Sequence, residues 1–570
     1  MAKPKTPVKQ TTSAHDTAGK FTNRQRTIAL IIVALAFVMD LLDTTIVNMA
    51  IPSIQADLGA SYSAIQWLTA GYSLAFAVLL ITGGRLGDII GYKKMFLIGI
   101  AGFTATSLLC GFAWNIEVLV AARLLQGATA ALMVPQVLSL MQVMYKPKER
   151  GVVLGIFGAL AGVAASLGPV VGGLLIQADI AALDWRPIFL INIPVGIFAF
   201  FGAIRFLPGG KSPHPLKLDV FGTTLIIAAL GLLIFPLIQG RELDWPFWIF
   251  AMMASSIPVF IGFWLWQLRK NKIDQSPLVI PKLFTSKTFS VGIMANLVFQ
   301  MVMIGFFFTF TLILQIGLGY EVLQAALTGI PISIGISVSI GFIAQKLTPL
   351  IGRYTMSLGT IVMAIGLAII LWVFSTYGLD TQPYQLIAGL LITGIGMGLV
   401  LGLVFSVTLK DVDTKNAGSA SGTLNAVQQL GGAIGVALVG VIFFGQLSIN
   451  AVASFESAEP AIRSSLVEQR LPIAAQDAII KDVKTCYVDR VNEKDSSTVP
   501  ASCKKFESAL SNDPTAAALG PIITDTVTAA TANNFVNAFR AMVIYATGLL
   551  LVTFVLSLFF PRKIDFEMTH

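Results

Sequence analysis

The chain has 570 residues, of which 55% are hydrophobic and only 12% charged, where a soluble globular protein carries roughly a quarter. That balance excludes a soluble enzyme or a soluble binding module. The formal net charge is +8, but the basic residues fall between apolar runs instead of gathering on one face, so the excess speaks to membrane orientation and not to nucleic acid.

Taken in chain order, residues 1–26 are polar and basic and read as a disordered cytoplasmic tail. No cleavable signal is expected, because the first apolar stretch is too long for a signal core and contains carboxylates. Apolar runs follow at 27–51, 64–83, 94–113, 117–141, 150–178, 187–207, 219–239, 246–267, 288–314, 324–345, 353–374, 384–408, 421–446 and 539–560. Each is long enough to cross about 30 Å of hydrocarbon as a helix. Since lipid offers the backbone no hydrogen-bond partner, repeated runs of this kind predict an all-α polytopic membrane protein with fourteen spans.

Lysine and arginine recur in every second connection: Arg85, Lys93 and Lys94, then Lys146 and Arg150, Lys211 and Lys217, Arg269 to Lys287, Lys346 and Arg353, Lys410 and Lys415. The intervening short connections hold Arg186 and Arg241. By the positive-inside tendency both termini are cytoplasmic, in the plasma (inner) membrane. The polar stretch 447–538 is then outside. Part of it looks helical enough for a small folded cap, and it contains Cys486 and Cys503. An oxidising exterior permits a disulfide between them; two free thiols are the alternative.

Charge inside the spans carries the most information, because each buried charge costs at least a few kcal/mol (about 2.5–3.5 on insertion scales). Asp40 and Asp43 lie in the first span and Arg123 in the fourth. Three residues apart, the two aspartates share nearly one helix face. Two carboxylates so close, out of water, resist being charged together, which suits a carrier that binds and releases protons. The alternative for each aspartate is a permanent structural pairing, and for Arg123 snorkelling to the interface. Gly84, Asp88, Gly91 and Lys93 form a tight turn between the second and third spans. Gly168, Pro169, Gly172 and Gly173 mark the fifth as a closely packed helix with a bend. His15, His214 and His570 are scattered, so no metal site or catalytic triad is expected, and no Walker-type phosphate loop is present.

These motifs together resemble the major facilitator superfamily, and within it the fourteen-helix drug:proton antiporter family. The stretch from Leu42 to Pro52 is similar to that family's first-helix signature, and the turn from Gly84 to Lys94 to the superfamily's loop motif, departing from it at Ile89 and Tyr92. Arg123-Leu124-Leu125-Gln126-Gly127 resembles the fourth-helix proton-transfer motif, and Gly168-Pro169-Val170-Val171-Gly172-Gly173 the antiporter motif. Trp185 to Gly196 and Ala417 to Gly422 complete the set.

The resemblance implies a major facilitator fold: an N-terminal six-helix bundle at 27–207, an inserted two-helix linker at 208–287, and a C-terminal bundle at 288–560 interrupted by the 447–538 extracellular loop, with a cytoplasmic tail at 561–570. It implies export of small lipophilic compounds, cations included, in exchange for protons, with no other cofactor and no catalytic residues. Asp43 would exchange the proton, Asp40 would serve as a second carboxylate, and Arg123 would tune proton affinity. Asn48, Gln126, Asn296, Gln300, Gln315, Asn425 and Gln428 are candidates for the substrate cavity, with helix–helix hydrogen bonding as their alternative role. Phe299, Phe306, Phe307 and Phe310 are candidates for its apolar wall, with facing lipid as their alternative. The partners are a small molecule and the bilayer, and a monomer is expected. Export of an endogenous metabolite or lipid, uptake symport, and a non-transporting receptor or scaffold are the rival readings.

Overall fold

The computed structural model describes residues 22–212, 215–413, 416–493, 498–511 and 516–562. All three histidines lie outside them. Among the described residues, fourteen helices are long and apolar enough to span a membrane. In chain order they are α1 Asn23–Leu58, α2 Tyr62–Ile90, α3 Tyr92–Gly111, α4 Ile116–Met144, α5 Pro147–Gln177, α6 Pro187–Phe206, α7 Val220–Gln239, α8 Phe247–Ile273, α9 Lys287–Gly317, α10 Val322–Ile351, α11 Tyr354–Asp380, α12 Pro383–Leu409, α13 Ala417–Glu468 and, after two shorter helices, α16 Ala516–Ser557. The shorter pair is α14 Ile473–Asn492 and α15 Ala501–Ser511.

Helix starts follow ordinary capping. Thr22 and Gln25 form a capping box at α1, and Ser61 and Asn115 cap α2 and α4 by accepting from the backbone N–H three residues on. Between α2 and α3 the chain reverses at Gly91, whose φ of 114° is open to glycine and strained for other residues. Tyr92 N–H then donates to Gly210 O at 2.9 Å, pinning this turn to the segment after α6.

Helices α1–α6 pack as one bundle, with α2 and α3 both lying against α4, and α5 and α6 against α1. Helices α9–α13 and α16 form a second, built on the α11/α12, α13/α16 and α9/α13 contacts. The pair α7/α8 packs mainly on itself, with α7 touching α2 and α13. At the α2/α4 crossing a side chain at Gly127 would overlap the backbone carbonyl of Tyr72. Such close approach is how small residues bring membrane helices together.

The last two spans run well past the lengths read from sequence. α13 continues to Glu468 and α16 begins at Ala516, so the expected 447–538 loop is largely helix. Polarity rises there without breaking the helical pattern, which is why an apolar-run criterion stops short. These extensions, with α14 and α15, bury Phe455, Ile462, Leu466, Ile480 and Val483 in a core of their own. Lys484–Glu456 at 2.7 Å and Arg463–Asp477 at 2.7 Å tie α14 to α13, and a Cys486–Cys503 disulfide joins α14 to α15. We refer to this as the cap end, and to the opposite end, carrying Arg85, Lys93 and Arg269, as the basic end.

The bundles meet at the cap end, and along the α5/α10 seam they part toward the basic end. On the α5 stripe facing α10, Gly173 packs on Leu323 and Ala326. Three turns on, at the position of a Gly162 side chain, the Ser337 hydroxyl is already 3.7 Å away. One and two turns further, Gly158 and Gly155 face open space.

Candidate functional site

Inside the first bundle the charged residues read from sequence come together. Asp43 is 1% exposed, Asp40 3% and Arg123 1%. Arg123 Nη1 pairs with Asp43 Oδ2 at 2.5 Å, so the guanidinium does not snorkel. Asp43 Oδ1 accepts from Gln126 Nε2 at 2.9 Å and from Asn192 Nδ2 at 2.8 Å. The carboxylate thereby receives three donors from two helices, which is the satisfaction a buried charge needs.

The surrounding residues hold this arrangement. Arg123 Nη1 also donates to Gln126 Oε1 at 2.8 Å, and its Nε to Leu68 O at 3.2 Å. Asn192 donates a second bond to Ser107 Oγ at 3.0 Å, and Ser107 in turn donates to Phe189 O at 2.9 Å. Asp40 accepts from Tyr72 OH at 2.6 Å, and the Tyr72 ring lies 4.3 Å from the Arg123 guanidinium. One aromatic side chain thus touches both halves of the site.

Tyr72, Ser107 and Asn192 were not assigned roles from sequence. Asn192 stands in the quoted Trp185–Gly196 motif, and a lone polar residue in that apolar run was the available signal. Gln126, placed among the cavity candidates, instead binds Asp43 and Arg123. The antiporter motif packs against the same helix: a side chain at Gly168 would overlap Thr45, and Gly172 lies against Ile46 and Met49.

The expected Gly84–Lys93 turn is mostly helix: α2 continues through Gly84 and Asp88 to Ile90, Gly91 alone makes the reversal, and Lys93 already lies in α3. Arg85 is 5% exposed and donates to the carbonyls of Lys217 and Ser276, each at 3.0 Å, and of Pro277. It clamps α2 to both flanks of the inserted pair. Beside it, Asp219 accepts from Gly222 N–H, Trp266 Nε1, Gln267 Nε2 and Leu278 N–H. Asp88 accepts from Tyr92 OH at 3.1 Å, and Lys93 Nζ donates to Ile204 O at 2.7 Å. Gly84 packs on Pro135.

The other cavity candidates divide. Asn296 is buried and donates to Leu424 O at 3.3 Å, joining α9 to α13. Gln300 is also buried, while Asn48, Asn425 and Gln428 are half-buried. Gln315 donates to Met49 O at 3.3 Å, a contact between the bundles at the cap end. Phe299, Phe306 and Phe310 sit in the core of the second bundle, with Phe307 packed against it, and so do not wall a cavity; their ring neighbours, such as Phe539, are its own.

At the cap end the bundles are closed by Tyr62 of α2 stacked on Phe444 of α13, ring centroids 4.2 Å apart. Arg241, from the α7–α8 connection, lies 5.5 Å from the Tyr62 ring and donates to Ser448 Oγ at 2.9 Å. Trp67 Nε1 reaches Gln239 at 3.4 Å. The inserted pair therefore takes part in this closure.

A family model described as Major Facilitator Superfamily matches residues 33–226 and 219–436. The chain is 42% identical over 85% of its length to a probable actinorhodin transporter of Streptomyces coelicolor, covering 84% of that protein. It is 32% identical over 72% of its length to a tetracenomycin C resistance and export protein of Streptomyces glaucescens, covering 75% of it. Among solved structures, a bacterial homolog of the human lysosomal transporter Spinster, in an inward-facing and unoccupied conformation, superposes with a TM-score of 0.57 at 15% identity. That comparison covers 95% of this chain and 98% of the other, a likeness of fold.

Proposed function

The chain belongs to the Major Facilitator Superfamily, and from that footing we propose that it is a proton-coupled antiporter of the fourteen-helix drug:proton type, exporting small lipophilic compounds, cations among them, by alternating access. The observation that carries this reading is the buried Asp43–Arg123 pair with its Gln126 and Asn192 donors. A charge so far from water is expensive, and in membrane proteins such groups mark ion and proton pathways. The relatives, a probable actinorhodin transporter and a tetracenomycin C resistance and export protein, support a small-molecule substrate and an outward direction.

In this reading the basic end faces the cytoplasm, in keeping with the lysine and arginine placement, and the parted ends of the bundles admit substrate from that side. Asp43 takes up the proton. Its protonation removes the counter-charge of Arg123, and breaking a buried pair in this way costs about 3–5 kcal/mol. Proton uptake therefore cannot occur without rearrangement of α1 against α4. Asp40, held through Tyr72, is the second carboxylate and an alternative counter-charge for Arg123. Gly168 and Pro169 let α5 close against α1 and bend as the bundles rock.

Everted membrane vesicles incubated in a fluorescent lipophilic cation test the coupling. Uptake driven by an imposed pH gradient and abolished by a protonophore is the expected result. Uptake indifferent to the gradient would remove proton coupling from the account. The actinorhodin name of one relative favours a second reading on the same fold, export of one metabolite, which a substrate panel in the same vesicles separates from broad drug export.

A further inference from the structure

A second polar feature lies outside the machinery described above, on the periphery of the second bundle near the cap end. There α11, α13 and α16 enclose a crevice of about 270 Å³ lined by Phe374, Ser375, Ser457, Asn533, Asn537 and Arg540 among others. Asn533, Asn537 and Arg540 fall at i, i+4 and i+7 along α16, so they share one helix face. Asn533 Nδ2 is engaged, donating to Ser457 Oγ at 3.0 Å. Among the described residues, the Asn537 amide and the Arg540 guanidinium have no side-chain partner, and no aspartate or glutamate lines the crevice.

The depth of this crevice is marked by aromatic side chains. Trp372 and Tyr377, at the end of α11, are exposed and form an edge-to-face pair with centroids 6.5 Å apart. Tyr384, at the start of α12, is exposed as well. Exposed tryptophan and tyrosine collect where hydrocarbon meets headgroups. Arg540 is thus an uncompensated cation held at headgroup level, beside a free amide donor and an apolar wall. The anion abundant at that depth is the phosphodiester of a lipid, and a guanidinium matches its oxygens with two parallel hydrogen bonds.

We propose that this α11–α13–α16 crevice is a phospholipid site, in which Arg540 and Asn537 bind the headgroup phosphate of an anionic lipid in the cap-side leaflet. The chemistry recognised is a phosphate, so a free phosphate ion would use the same donors. What distinguishes the lipid is the second anchor, its acyl chains lying along the apolar surface beside Trp372. The site is independent of the proton-coupling residues and stands or falls apart from them.

Native mass spectrometry of the full-length protein, delipidated in detergent and then titrated with phosphatidylglycerol or with inorganic phosphate, tests the proposal. Wild type should retain phosphatidylglycerol, and Arg540→Gln should weaken that retention about tenfold, in line with the loss of charged hydrogen bonds. Arg540→Lys, which keeps the charge but not the fork, should fall between. Arg269→Gln, an exposed cation at the basic end, should change nothing. Millimolar inorganic phosphate should not displace the lipid. Equal retention by wild type and Arg540→Gln at matched melting temperature would overturn the proposal. So would Arg540-dependent binding of inorganic phosphate that displaces the lipid, since the site would then be one for a free anion.

Discussion

The Arg123 guanidinium stacks on the Tyr72 ring at 4.3 Å while the hydroxyl of that ring donates to Asp40. Arg123 meanwhile pairs with Asp43. The two carboxylates, neighbours on α1, are therefore joined a second time through space, by way of α2 and α4.

This bridge makes Tyr72→Phe informative. The substitution keeps the stacked ring and removes the hydrogen bond to Asp40, a loss of about 1–3 kcal/mol for the buried acceptor. Folding and membrane insertion should be preserved. The pH dependence of transport should change, because Asp40 loses its hydrogen-bond partner. An unchanged pH profile in vesicles would show that Asp40 stands outside the coupling.

The junction of the inserted pair predicts an acid sensitivity of its own. Burial works against ionisation of Asp219, but the Trp266, Gln267, Gly222 and Leu278 donors outweigh it and hold the carboxyl below the usual carboxylate range. A carboxyl depressed in the folded state contributes stability that is complete above its unfolded value, about 3.9. That contribution is lost as pH falls through the folded value. Thermal unfolding in detergent should therefore show wild type losing its advantage over Asp219→Asn below about pH 4. At neutral pH the variant should cost about 1–3 kcal/mol. A constant difference across the acid range would contradict this assignment.

Arg241 predicts a shift in the conformational balance. It is held against Tyr62 from the first bundle and Ser448 from the second. Arg241→Ala should weaken the cap-end closure by about 1–2 kcal/mol, the combined worth of a partly buried cation–π contact and a hydrogen bond. Spin-label distances across the Tyr62–Phe444 contact should then show a larger population of separated bundles. If the distribution is unmoved, the inserted pair is a bystander to the closure.

How these features could be read from the sequence varied with their chemistry. Asp40, Asp43 and Arg123 stand out because charge in an apolar run is costly and so rarely without purpose. Tyr72, Ser107 and Asn192 complete the same site, but a neutral polar residue in a membrane helix has an ordinary role in helix–helix bonding, and only geometry separates the two. Gln126 lay within a quoted motif, yet its partner Asp43 is 83 residues away and no periodicity relates them. Arg85 was grouped with the loop charges because it sits at a helix end. Its burial depends on the carbonyls of Lys217, Ser276 and Pro277, which lie 132, 191 and 192 residues further along the chain. The fourteen spans were readable because each satisfies its own backbone. The extensions of α13 and α16 were not, since their stability comes from the cap core and from Lys484–Glu456 and Arg463–Asp477.

The central claim is that Asp43 exchanges a proton for the exported compound. It is tested most directly by substrate-induced proton release from purified protein reconstituted in liposomes, comparing wild type with Asp43→Asn over a panel of lipophilic cations and candidate metabolites. Release by wild type that is absent from Asp43→Asn, with substrate binding retained, is the predicted result. Full release by the variant, or proton-driven export that survives the substitution, would contradict it.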